Sequence, residues 1–162
     1  GGHIAVYSEP GLGTTMRIYL PRVDEPATAG VVKDATSPGG QETILLVEDD
    51  GAVRAVAARI LAAHGYTVLQ VENGEEALRL AEARPEPIDL LLTDAVLPGI
   101  GGRELVRLMK AARPGIAVLC ASGYADEVMV RDRLMDGEVA LIQKPFTPNG
   151  LARKVRDVLD AR

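Results

Sequence analysis

Three stretches of this chain place charged groups where apolar runs stop. Ile88-Asp89-Leu90-Leu91-Leu92-Thr93 leads into the carboxylate of Asp94. Ile44-Leu45-Leu46-Val47 is followed by three acids in a row, Glu48, Asp49 and Asp50. Leu141-Ile142-Gln143 runs into Lys144-Pro145-Phe146. A short apolar run bounded by turn signals reads as a strand buried on both faces. In open α/β sheets, ligands bind at the carboxyl ends of such strands. If the strands are parallel, acids from two of them and a lysine from a third meet on one edge.

Crowded carboxylates repel one another and raise each other's pKa, so the cluster calls for a cation. An all-oxygen donor set with no His or Cys nearby favours a hard ion such as Mg²⁺. Magnesium keeps several waters, so Glu48, Asp49 and Asp94 are enough to hold it. A carboxylate beside Mg²⁺ can act as a nucleophile toward a phosphoryl group. Such a transfer needs positive partners at the equatorial oxygens more than it needs an acid or a base. Mg²⁺ supplies one and Lys144 another. Ser122, which ends Val118-Leu119-Cys120-Ala121-Ser122, can offer a hydroxyl to the same oxygens. Asp50 is expected to lead or cap the helix that follows it. His64 reads as a helix-end residue and His3 as a strand-surface residue, and neither has a metal-ligand partner.

The elements that must position these groups alternate from Thr43 onward. Strands are predicted at 44–47, 66–71, 88–93, 116–120 and 139–142. Between them lie five helical patterns. The first has Val53, Val56, Ala57 and Ile60 on its inner face and stops near His64-Gly65. The second opens on Asn73 with Glu76 three residues on, a capping-box spacing, and turns Ala77, Leu78 and Ala81 inward. The third carries Leu105, Leu108, Met109 and Ala112. A weaker fourth covers 125–136, and the last starts at Thr147-Pro148, a cap with proline at the first helical position. Five βα units with short loops predict an α/β fold, a doubly wound five-stranded parallel sheet. The flavodoxin-like order 2-1-3-4-5 sets the first and third strands side by side, which makes Glu48, Asp49 and Asp94 neighbours.

Upstream, residues 3–8 and 14–20 alternate in strand fashion around Glu9-Pro10-Gly11-Leu12-Gly13, so 1–22 reads as a β-hairpin that lacks the rest of its sheet. Gly11 and Gly13 are turn glycines rather than a phosphate loop. Residues 23–42 hold Pro26, Pro38, Gly30, Gly39 and Gly40 with no apolar period, and read as a flexible linker. The domain organisation expected is therefore hairpin 1–22, linker 23–42 and α/β domain 43–162.

With 162 residues, no Trp and one Phe, the core must be aliphatic. A net charge of −5 argues against a nucleic-acid surface. Cys120 is the only cysteine and sits in a strand pattern, so it reads as a small core residue in a reducing compartment. No apolar run reaches the length of about 20 residues that a membrane helix needs, and there is no signal peptide. The chain opens on Gly1 rather than Met, which predicts an excerpt of a longer protein.

Residues 43–160 resemble a receiver domain of the two-component response-regulator family. The resemblance is carried by Leu-Leu-Val-Glu-Asp-Asp at 45–50, Asp-Leu-Leu-Leu-Thr-Asp-Ala-Val-Leu-Pro-Gly at 89–99, Ala-Ser-Gly-Tyr at 121–124 and Lys-Pro-Phe at 144–146. It implies that Asp94 is the phosphoacceptor and that Asp49 binds Mg²⁺ directly, with Glu48 acting through water. It also implies the backbone carbonyl of Val96 as a further ligand. Ser122 takes the Ser/Thr switch position, Lys144 contacts the phosphoryl group, and the Lys144–Pro145 bond is cis. The family often carries an aromatic switch residue three positions before the lysine. Leu141 stands there instead, and Tyr124 is the nearest candidate substitute. Val96 and Tyr124 should flank the phosphoryl group without a polar group to orient water, which predicts slow dephosphorylation.

Residues 1–21 resemble the end of a sensor histidine kinase ATP-binding domain, without the family's nucleotide-binding boxes. Together the pieces resemble the C-terminal end of a hybrid histidine kinase. The partners this implies are a kinase dimerisation and phosphoacceptor domain or a histidine phosphotransfer protein. No nucleic acid and no membrane contact by this segment are expected. The location implied is cytoplasmic, with a parent protein that could be membrane-anchored. Two competing readings fit these residues less well. A haloacid-dehalogenase-type Mg²⁺ phosphatase carries a second Asp two residues after its nucleophile, where this chain has Val96. A phosphorylation-independent interaction domain expects a damaged pocket, and this pocket is whole.

Overall fold

The computed structural model describes residues 2–22, 39–123 and 139–161. Two compact units divide it, residues 1–33 and 34–162. The smaller is the hairpin. Its strands β1 (His3–Glu9) and β2 (Gly13–Tyr19) pair antiparallel, with His3 opposite Tyr19 and Glu9 opposite Gly13. Gly11 and Gly13 take φ of +80° and +92°, so both serve the turn, as expected. His3 stacks on Tyr19 with ring centroids 4.3 Å apart. Ile4, Val6, Met16 and Ile18 line one face of this ribbon and are exposed. That is the pattern of strands whose covering layer lies elsewhere.

The larger unit is a parallel sheet wound on both faces by helices. Its strands are β3 (Thr43–Val47), β4 (Thr67–Val71), β5 (Leu90–Asp94), β6 (Ala117–Ser122) and β7 (Ala140–Gln143). Their order is β4-β3-β5-β6-β7, all parallel, which is the 2-1-3-4-5 order expected. The described helices are α1 (Gly51–Ala63), α2 (Gly74–Ala83), α3 (Gly102–Ala112) and α4 (Pro148–Asp160). The helix expected at 125–136 lies outside the described residues.

Alternation along the strands splits the core in two. Leu45, Val47, Leu91, Val118 and Cys120 face α2 and α3. Ile44, Leu46, Leu90, Leu92 and Leu119 face α1 and α4. The central strands therefore carry unbroken apolar runs at 44–47, 90–92 and 117–121, as burial on both faces requires. Asp89, the one charge at the entry of β5, is explained by its partner: Oδ2 accepts from the Thr43 amide at 2.9 Å. That bond joins the starts of the two neighbouring strands.

The helix ends follow their side-chain chemistry. Asp50 caps α1, accepting from the amides of Ala52 and Val53 at 2.8 and 3.0 Å. His64 closes the same helix, with Nδ1 2.7 Å from the Ile60 carbonyl oxygen, and Gly65 follows at φ +92°. Asn73 caps α2 through the Glu76 amide at 2.9 Å. The box is displaced by one residue, because the Glu76 carboxylate accepts from the Glu72 amide rather than from Asn73. Thr147 caps α4 through the Gly150 amide.

Two helix faces differ from expectation. Val56, placed inward by its period, is 44% exposed; Ala57 is buried as expected, and Ala58 and Leu61 join it on the inner face of α1. Ala112 is exposed at the end of α3. Residues 39–42, which composition assigns to the linker, are tied to the domain. The Gly40 amide donates to the His64 carbonyl at 3.0 Å, and Glu42 pairs with Arg156 at 2.7 Å. Gly40 has no room for a side chain, since a Cβ would lie 2.6 Å from the Tyr66 ring.

Cys120 is fully buried, and burial pushes its thiol up to about 12. The raised value favours the folded state below the ordinary thiol range, and that advantage is lost as pH rises from about 9 toward 12. We expect iodoacetamide at pH 8 to leave native Cys120 unmodified and to label it in urea, read by intact mass. Urea midpoints should fall between pH 9 and 11 in the wild type and stay flatter in Cys120→Ala; labelling of the native protein would contradict the buried assignment.

Candidate functional site

Strand register does most of the assembly. Val47 is opposite Thr93, so Glu48 leaves β3 beside Asp94 at the end of β5. Asp94 is in turn opposite Ala121, and Ser122 opposite Gln143, which brings Lys144 to the same edge. Two further backbone bonds extend the ladder past the strands. The Ala95 amide donates to the Ala121 carbonyl at 2.9 Å, and the Lys144 amide to the Ser122 carbonyl at 2.8 Å. The Lys144–Pro145 bond is cis.

The side chains converge as the sequence predicts. Carboxylate oxygens of Glu48, Asp49 and Asp94 all lie within 4.8 Å of one another. Lys144 Nζ donates to Glu48 Oε2 at 2.5 Å and to Asp94 Oδ2 at 2.7 Å. Exposure is graded: the Glu48 side chain is 6% exposed and that of Asp94 15%, while Asp49 is open to solvent. Burial pushes the Glu48 carboxyl above the usual carboxylate range; Lys144 opposes that shift, and the nearby Asp94 and Asp49 charges add to it. For Lys144, burial disfavours the charge, but the bonds from Asp94 and Glu48 outweigh it and its pKa is raised. The lysine therefore stays charged across the neutral range.

This donor set fits a divalent hard cation. It is all oxygen, it is over-acidic by two charges after Lys144 is counted, and its exposed side at Asp49 leaves space for the waters that Mg²⁺ retains. Ser122 ends β6 on the same sheet edge and is 1% exposed. Val96 lies over the pocket, and its amide donates to Asp94 Oδ1 at 3.1 Å while its side chain is 58% exposed. Leu141 packs against the α2/α3 core cluster and carries no polar atom. Tyr124 lies outside the described residues.

Two features of the site were not read from the sequence. Arg54, one turn into α1, donates to the carbonyls of Glu48 and Asp49 and so holds the acid-bearing turn. The second is an apolar groove of about 490 Å³ lined by Ala52, Val53, Val56, Pro145 and Phe146, with Lys144 at its border. The exposed Val56 accounts for much of that wall.

Fold and site together define a Mg²⁺-type carboxylate pocket at the switch point of a doubly wound sheet. Residues 44–156 match the family model described as the response regulator receiver domain, and the chain belongs to that family. It is 37% identical, over 99% of its own length, to the sensor kinase CckA of Brucella abortus, of which it spans only 18%. It is 34% identical over 73% of its length to the response regulator receiver protein CpdR of the same organism, covering 97% of that protein. Among solved structures, the receiver domain from the hybrid histidine kinase CckA superposes with a TM-score of 0.62 at 37% identity, covering 72% of this chain and 98% of that one. No described helix is long and apolar enough to cross a membrane.

Removing Lys144 leaves Glu48 buried among acids with no counter-charge. We expect Lys144→Met to cost about 3 kcal/mol in metal-free buffer, the lower end for stranding one member of a buried pair, because Glu48 can take up a proton. Saturating Mg²⁺ should narrow the gap to wild type in urea unfolding. Equal midpoints without Mg²⁺ would show that the lysine does not hold the cluster.

Proposed function

We propose that Asp94 accepts a phosphoryl group from a histidine of a kinase or phosphotransfer partner, in a Mg²⁺-dependent step of a two-component phosphorelay. The observation that carries this reading is Lys144 bonded to both Asp94 and Glu48 inside a cluster of three mutually close carboxylates. Asp49, Glu48, Asp94 and the Val96 carbonyl would hold Mg²⁺. When bound, that ion offsets charge on the phosphoryl oxygens. Asp94 then attacks phosphorus with a carboxylate oxygen as the phosphorus–nitrogen bond breaks and the imidazole leaves. Lys144 already lies 2.7 Å from Asp94 Oδ2, so its ammonium needs only a small shift to follow charge onto the transferred group. Ser122 supplies a hydroxyl to the same oxygens. Ser122 takes the Ser/Thr switch role, Leu141 stands at the aromatic switch position, and Tyr124 is the candidate substitute for the missing aromatic ring.

The similarity to a sensor kinase across 99% of this chain supports a wider assignment. On this reading residues 1–22 close a kinase ATP-binding domain, 23–42 are the linker, with its last four residues tied to the domain that follows, and 43–162 are the receiver of a hybrid histidine kinase. Its location would be cytoplasmic. The groove beside Lys144 suits the apolar side of a helical partner presenting its histidine to Asp94.

The decisive measurement incubates the 162-residue chain with Mg²⁺ and a small-molecule phosphodonor and reads intact mass. One phosphoryl adduct that requires Mg²⁺ and vanishes in Asp94→Asn is expected. A chain that binds Mg²⁺ yet takes no phosphoryl group from any donor would remove the reading. Val56→Glu should leave the small-molecule rate unchanged and slow transfer from a phosphohistidine partner by about tenfold or more, as loss of one well-placed interface anchor does. Equal slowing from both donors would place Val56 in the fold rather than at the partner surface.

A further inference from the structure

We propose that Glu75, at the start of α2 and outside the acid pocket, is a positioning residue: its carboxylate holds the β5–α3 loop and thereby the orientation of Asp94. The proposal rests on the phosphoacceptor reading above.

The loop, residues 95–101, is tied to the reacting group by the Val96 amide, which donates to Asp94 Oδ1 at 3.1 Å. Whatever fixes the loop therefore fixes one face of that carboxylate. At the near end, Gly102 closes the loop tightly. A Cβ there would lie 2.5 Å from the Asp94 carbonyl oxygen and 2.8 Å from that of Ala95. At the far end the holding group comes from another element. The Ile100 amide donates to Glu75 Oε1 at 3.2 Å. The same carboxylate covers Gly99, which takes φ +71° and whose Cβ would sit 2.6 Å from Glu75 Oε1.

Beside it, Gly74 leaves room for Ile100, since a Cβ at 74 would be 3.1 Å from both the Ile100 Cβ and its carbonyl oxygen. Ile100 packs its side chain against the α2/α3 core cluster. So α2 grips the loop from two sides, by packing on Ile100 and by a charged acceptor at its amide.

Glu75 is not needed to start its own helix. Asn73 accepts from the Glu76 amide, and the Glu76 carboxylate accepts from Glu72. With those orphan donors served, the Glu75 side chain is available to the loop. Charge-assisted acceptors make the stronger hydrogen bonds. Without this one, the loop samples other arrangements, and any affinity that requires the seen arrangement falls by the fraction of time it is lost.

The test uses the whole chain with Mg²⁺ titrated by calorimetry and with the phosphodonor assay. We expect Glu75→Ala to weaken Mg²⁺ and slow Asp94 phosphorylation by about fivefold each, if the competent loop falls to roughly one fifth of the population. Glu75→Gln, whose amide oxygen can still accept from Ile100, should recover most of both. Asn73→Ala should lower thermal stability by removing the cap, while Mg²⁺ affinity stays at the wild-type value. Amide exchange at Ile100 and Val96 should quicken in Glu75→Ala. Wild-type Mg²⁺ affinity in Glu75→Ala, unchanged exchange at those amides, or an equal loss in Asn73→Ala would each overturn the proposal. A wild-type chain that binds Mg²⁺ but forms no adduct would instead defeat the phosphoacceptor reading, and the exchange measurement would still decide what Glu75 holds.

Discussion

The structure depends on keeping three acids together at the mouth of an apolar sheet. Lys144 does this. Its ammonium reaches Glu48 and Asp94 at once, and no other described cation bonds to those carboxylates. Placing it there requires β7 to reach the edge of the sheet, with the lysine one residue past Gln143. It also requires the Lys144 amide to bond the Ser122 carbonyl. The aliphatic core on both faces follows from the same demand. A sheet that presents charges at one edge must be held by apolar contact elsewhere, and its central strands accordingly carry the apolar runs at 44–47, 90–92 and 117–121.

Most of this was legible in the sequence because each signal is local and strong. Apolar runs ending in charge gave the strands, the parallel topology gave the shared edge, and Asp50, Asn73 and Thr147 marked helix starts that the structure realises. What was not legible depends on which side of a helix meets the sheet. Val56 fits the apolar period of α1 as well as Leu61 does, but helix rotation is set by tertiary packing, and Ala57, Ala58 and Leu61 took the inner face. Residues 39–42 have linker composition, yet Gly39 lies against the His64 carbonyl and Gly40 against Tyr66. A glycine kept for close approach and a glycine kept for freedom look the same in one sequence. Glu75 and Arg54 act through backbone amides and carbonyls, contacts that leave no spacing signature of their own.

The gradient of exposure across the three acids gives each a different physical part. Glu48 is the most buried, and it is there that charge is most expensive, so it is bound to Lys144 most closely. Asp49 faces solvent and can exchange water for a cation at little cost. Asp94 lies between, half committed to Lys144 through Oδ2 and half to the loop through Oδ1. A group added to one of its oxygens removes charge from the acceptor of both bonds and crowds the one on that oxygen. If Oδ2 is taken, Lys144 must find a new acceptor, and its backbone is bonded to the strand that ends at Ser122. If Oδ1 is taken, the bond from the Val96 amide is weakened, while Glu75 still holds the loop at Ile100. Either way the modification acts on a bond that already ties Asp94 to the Lys144 ammonium or to the Val96 amide. A surface aspartate hydrated on both oxygens would absorb the same change in its water shell and transmit nothing.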